Sequence, residues 1–131
     1  MKLRALFIAN TVVSVPFGLG SVLAPHLFMS LLGATLNSAG ALMMQYGGAW
    51  LIGIGLLTWL TRDAVVSQVG RQIALALLVA YLVAFVVSLL GQLAGVLNLL
   101  GWMPIAIQVF FAAGFAYLLF VERSGDTPEA R

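Results

Sequence analysis

Residues 45–63, QYGGAWLIGIGLLTWLTRD, place glycines at 47, 48, 53 and 55 in one apolar run that ends at Arg62 and Asp63. Inside a helix in water each glycine costs about 0.5–1 kcal/mol relative to alanine. A run that repeats this cost and holds no charge until its end reads as a helix in lipid. There small residues let neighbouring helices approach, and charge waits for the aqueous surface.

The rest of the chain repeats the pattern. Of 131 residues, 63% are hydrophobic and 8% are Asp, Glu, Lys or Arg, against about a quarter in soluble domains. So few charges cannot coat a water-soluble surface. A crossing helix needs about 20 mostly apolar residues, and four stretches qualify, at about 5–24, 41–61, 73–94 and 103–121. Every charged residue lies outside them: Lys2 and Arg4; Arg62, Asp63 and Arg71; and Glu122, Arg123, Asp126, Glu129 and Arg131. Four crossings put these three groups on one side, and the opposite connections, 25–40 and 95–102, hold no charged residue. The positive-inside bias therefore predicts an all-α, polytopic, antiparallel four-helix bundle, with both termini and the 62–72 loop in the cytoplasm. The domain spans 1–121 and a polar tail follows over 122–131, in a bacterial inner (cell) membrane.

The N-terminus, MKLRALFIANTVV, also resembles a signal peptide. Its apolar run is longer than a typical h-region, and SVLAPHLF offers no convincing small-x-small cleavage site before its proline, so the first span is expected to be retained. In the connection 25–40, Pro25 can open a short interfacial helix and Gly33 can close it. The alternative is a simple extension of the first span. Pro16 is expected to bend the first span, and Pro104 to help start the fourth.

Residues four apart share a helix face. At that spacing each span carries a row of small or polar residues: Asn10, Ser14 and Gly18; Ala41, Gln45, Ala49 and Gly53; Ala76, Ala80, Ala84, Ser88 and Gln92; Gln108, Ala112 and Ala116. Gly48 and Gly55 form another face on the second span. These residues are the expected packing surfaces, because small side chains permit close helix contact where burial of leucine gains little over lipid. The Ala76–Ala80–Ala84–Ser88 row is expected to pack a neighbouring helix, with Leu78 towards lipid.

At about 1.5 Å per residue, Gln45, Gln92 and Gln108 lie about 25, 31 and 21 Å from the charged end, all in the outer half of the bilayer. One reading makes them a shallow outward pocket for a small neutral or lipophilic molecule. The other makes each an interhelical or headgroup hydrogen bond worth about 0.6–2 kcal/mol. His26, the only histidine, has no second ligand beside it and reads as an interfacial side chain.

The missing chemistry narrows the class. No cysteine is present, which removes disulfides, thiolate metal sites and thiol catalysis. No acidic residue lies within a span. Small multidrug transporters are also four-helix proteins of similar length, but the embedded glutamate they use is not here. No filter-like stretch, charge ring or acid–base pair appears within the membrane, and there is no basic stripe for nucleic acid. Gln45 and Gln108 each precede a polar cytoplasmic end by similar distances, an echo suggestive of hairpin duplication.

YGGAWLIGIGLLTWLTRD, followed by a short basic loop and ALALLVAYLVAF, resembles small uncharacterised four-helix integral membrane proteins of bacteria. The resemblance implies a four-helix fold and brings no active residues. The expectation is a non-enzymatic packing, self-associating or accessory subunit of a larger membrane complex. Its partners would be membrane lipids, further copies or other membrane subunits, with no metal and no resident cofactor. A lipid, lipophilic pigment or quinone is the occupant that the pocket reading allows.

Overall fold

The computed structural model describes residues 2–121. Five helices follow in order: α1 (Lys2–Leu23), α2 (Pro25–Leu31), α3 (Ser38–Leu60), α4 (Gln68–Leu93) and α5 (Trp102–Ala116). A 3-10 turn, Leu99–Gly101, leads into α5, and a π turn, Tyr117–Val121, continues it. Among the described residues there is no strand. The expected polar tail, 122–131, lies outside them.

Local chemistry sets the helix ends. Pro25 occupies the first turn of α2, where its missing N–H would have no partner in any case. Gly33, at φ +82, closes α2: its N–H donates to the Ser30 carbonyl, and that of Ala34 donates to the Met29 carbonyl. This paired arrangement needs a left-handed residue at Gly33. Asn37 caps α3 through the Gly40 amide at 2.7 Å, and Ser67 caps α4 through the Gly70 amide at 3.1 Å.

Four helical segments are long and apolar enough to cross a membrane: Lys2–Leu23, Ser38–Leu60, Gln68–Leu93 and Leu99–Val121. Only 17–33% of the most apolar stretch of each is buried within the chain. Val12, Val83, Val87, Leu90, Phe110 and Phe120 all face outward. Water-soluble monomers expose contiguous apolar patches of only a few hundred Å². Such a surface has the character of a multi-pass membrane protein.

The helices pack mainly as two pairs, α1 with α3 and α4 with α5. Along α1 and α3, partners fall in number on one helix as they rise on the other. Arg4 meets Asp63, Asn10 meets Thr58, and the Gln45 amide donates to the Val22 carbonyl. Between them Gly18 and Gly48 meet backbone to backbone. A Cβ on Gly18 would lie 2.6 Å from the Gly48 carbonyl oxygen, and one on Gly48 would lie 2.7 Å from that of Gly18. Gly55 admits the Val15 side chain, whose Cγ2 would lie 2.6 Å from a Cβ there.

Large side chains join the pairs. Phe7, Phe111 and Phe115 are almost wholly buried; Phe115 sits edge-on to Phe7 at 6.1 Å, and Phe111 stacks on Tyr81 at 5.0 Å. The two uncharged connections touch, because Asn98 donates to the carbonyls of Leu31 and Leu32. At the other end the loop after α3 tucks Val65 into the core against Gly70, whose missing side chain makes the space.

The row on α4 departs from expectation. Ala76 and Ala80 are exposed, and Ala84 and Ser88 are half-buried. Leu78, expected to face lipid, is buried together with Ala74 and Leu77. The contact with α5 is built from large residues that interlock with Phe111, Phe115 and Leu119, so the alanines turn outward. On α3, Ala49 and Gly53 are likewise exposed, and a Cβ on Gly53 would meet nothing within 4 Å. Ser14, Gly18, Gly48, Gly55 and Ala112 point inward, and Ala116 is half-buried.

Candidate functional site

The three glutamines do not form one pocket. Gln45 bonds across α1–α3 to Val22, Gln92 donates to the Asn98 carbonyl at 3.0 Å, and Gln108 donates to the Ser88 hydroxyl at 3.0 Å. Each satisfies its donor locally, as the reading of separate interhelical or headgroup hydrogen bonds has it, and the reading of a shared three-glutamine pocket is set aside. The physical reason is rotational. Similar depth along three helices says nothing about azimuth, and each amide turns towards a nearby backbone or hydroxyl acceptor. Gln92 Oε1 occupies the place that a Gly101 Cβ would take, and it is buried with no hydrogen-bond donor among the described residues.

The polar centre lies elsewhere, on α1, α3 and α4. Asn10 and Thr58 are fully buried. The Asn10 amide donates to the Thr58 hydroxyl at 3.2 Å, and its Oδ1 accepts from the Tyr81 hydroxyl. Thr11 reaches the Gly55 carbonyl at 2.8 Å and the Thr58 hydroxyl at 2.9 Å. Asn10 and Ser14 stood in a packing row, but Thr11, Thr58 and Tyr81 were not singled out from the sequence. Thr58 lies three residues after Gly55 and ten after Gly48, on the same α3 face, and that spacing was the available signal.

Beside this network a cleft of about 110 Å³ is lined by Val13, Ser14, Phe17, Leu51, Tyr81, Pro104, Ile107 and Gln108. Gln108 Oε1 is buried and accepts no hydrogen bond among the described residues. It is the only one of the three glutamines at this cleft. The groups here hold and orient. Asn10, an amide between two hydroxyls, has no proton it can readily pass on, so the network is unsuited to proton relay. Among the described residues no three His, Cys, Asp or Glu come together.

The charged end is tied by side chains. The Arg4 Nε lies 2.7 Å from Asp63, and this hydrogen bond holds the exposed Asp63 carboxyl below the usual carboxylate range, with smaller help from the Arg62 charge. The Arg71 guanidinium donates to the Leu119 carbonyl of the π turn at 3.0 Å, a favourable place for a cation at a helix C-terminus. A second cavity, about 490 Å³, lies there among Gln68, Arg71, Gln72, Leu75, Leu119 and Phe120.

No family model matches the sequence, and neither a curated protein nor a solved structure matches it.

Proposed function

We propose that the chain is a non-enzymatic, multi-pass protein of the cell membrane: an antiparallel four-helix bundle with both termini in the cytoplasm. In this reading it works by helix packing, through self-association or as an accessory subunit of a larger membrane complex. The observation that carries the reading is the outward placement of Ala49 and Gly53 on α3 and of Ala76 and Ala80 on α4. Lipid gives no reason to present small faces, whereas a second helix gains close contact from them. The absence of charge from 25–40 and 95–102 supports the orientation, and the falling-and-rising order of α1–α3 partners supports the antiparallel arrangement.

The test uses the cysteine-free background. Gly53→Cys and Ala80→Cys should form cross-links in native membranes, to a second copy if the chain self-associates and to another protein if it is an accessory subunit. Ala80→Trp should abolish the Ala80-side association while leaving helix content unchanged. No cross-link from either face would reject the reading. Purification in mild detergent separates it from the second reading, a small neutral molecule held in the cleft at Gln108. A stoichiometric protein partner supports packing, and a retained small molecule supports the cleft.

A further inference from the structure

A groove of about 420 Å³ runs along the junction of α1 and α3, lined by Thr11, Val15, Ile52, Leu56 and Trp59. It exists because Gly55 lets the helices meet closely against Val15 while larger side chains stand up as shoulders on either side. Its wall is hydrocarbon in character. The hydroxyl of Thr11 is spent on the Gly55 carbonyl and Thr58, so it presents no open hydrogen-bonding group to the groove. From Trp59 to Ile52 it extends about 10 Å along α3.

The mouth of the groove is basic. The Arg62 guanidinium lies 4.0 Å over the Trp59 ring, and its Nη1 donates to the Trp59 carbonyl. These contacts fix the cation where the apolar wall ends. Asp63 reaches both Arg4 at 2.7 Å and Arg62 at 4.0 Å, so among the described residues one carboxylate stands between two guanidiniums and positive charge is left over. A guanidinium offers five N–H donors in a planar fork that matches phosphate geometry, and the contacts above use only part of it. A hydrocarbon groove that ends in two guanidiniums sharing one carboxylate is complementary to a molecule with an apolar chain and a net negative head.

We propose that this groove and Arg62 bind one anionic phospholipid, with an acyl chain against Val15, Ile52 and Leu56 beside Trp59 and the headgroup phosphate on the Arg62 guanidinium. The proposal rests on the four-span reading. A zwitterionic lipid fits the groove equally well, but its own cation offsets the attraction, so charge at the mouth sets the preference. One basic residue near a membrane surface supplies a factor of roughly five.

The full chain carrying Trp50→Phe and Trp102→Phe retains Trp59 as its single tryptophan. It is placed in phosphatidylcholine vesicles with increasing fractions of phosphatidylglycerol or phosphatidylcholine brominated on the acyl chains. Brominated phosphatidylglycerol should quench Trp59 at a mole fraction about fivefold lower than brominated phosphatidylcholine, the factor expected for one basic residue. Arg62→Gln should make the two lipids equivalent while both still quench, and raised salt should narrow the preference in the parent. Equal quenching by the two lipids in the parent, or a preference untouched by both Arg62→Gln and salt, overturns the proposal. If neither lipid quenches, the four-span reading itself fails, and the lipid site with it.

Discussion

Gly48→Ala and Gly53→Ala add the same methyl group to the same helix five residues apart, and their surroundings give opposite outcomes. At Gly48 the new Cβ would lie 2.7 Å from the Gly18 carbonyl oxygen, 2.7 Å from Ser21 Cβ and 3.0 Å from Val22 Cγ2. Two of these neighbours are backbone or Cβ atoms, which cannot swing aside, so α1 and α3 must separate by roughly 0.5–1 Å. A gap of about that size forfeits a quarter to a half of the dispersion well for each contact along the seam. Overpacking of this kind costs about 1–3 kcal/mol, offset in part by the better helix propensity of alanine, about 0.5–1 kcal/mol in water. At Gly53 nothing within the chain lies within 4 Å, and in a single copy held in a micelle only the propensity gain remains. Unfolding in mixed dodecyl maltoside and SDS micelles, followed by circular dichroism, should show Gly48→Ala less stable than the parent and Gly53→Ala equal or more stable. A Gly48→Ala protein as stable as the Gly53→Ala protein would refute close backbone contact between α1 and α3.

Two further outcomes follow from the polar contacts. Tyr81→Phe removes the donor to Asn10 Oδ1 and should lower stability in the same assay by about 0.6–2 kcal/mol, the range for hydrogen bonds between membrane helices; no change would mean that the bond contributes nothing. Asp63 is held below the usual carboxylate range by Arg4, so its contribution is present above the unfolded-state pKa of about 3.9 and is lost as pH falls through the lower folded value. The effect is small because the pair is exposed, but Asp63→Asn should flatten this part of the acid stability profile, and an unchanged profile would contradict it.

Much of the secondary structure was legible because hydropathy, proline, glycine and capping residues act locally. Gly33 at the end of α2, and the confinement of charge beyond the spans, needed no tertiary information. What the sequence hid was azimuth. In water the apolar stripe of a helix marks its buried face; in lipid both inside and outside are apolar, and small residues serve equally for a contact within the chain or with another chain. Gly18 points inward while Ala76, Ala80 and Gly53 point outward, although all four fit the same four-residue spacing. The same ambiguity made Gln45, Gln92 and Gln108 look convergent by depth when their hydrogen bonds go to three different partners. Thr58 was hidden because a Ser or Thr hydroxyl in a membrane helix usually satisfies itself on its own backbone, as Thr61 does on Leu57, and Tyr81 because its reach to Asn10 on another helix depends on azimuth.

The cysteine-free chain allows one direct measurement of the four-span, both-ends-cytoplasmic topology. Val66, 84% exposed in the connection between α3 and α4, and Leu99, 83% exposed in the connection before α5, are replaced one at a time by cysteine. A membrane-impermeant maleimide is then applied to intact cells. Leu99→Cys should label at once, and Val66→Cys only after the membrane is permeabilised. Labelling of Val66→Cys from outside, with Leu99→Cys protected until permeabilisation, would contradict the orientation, and labelling of both from outside would contradict the crossing between them.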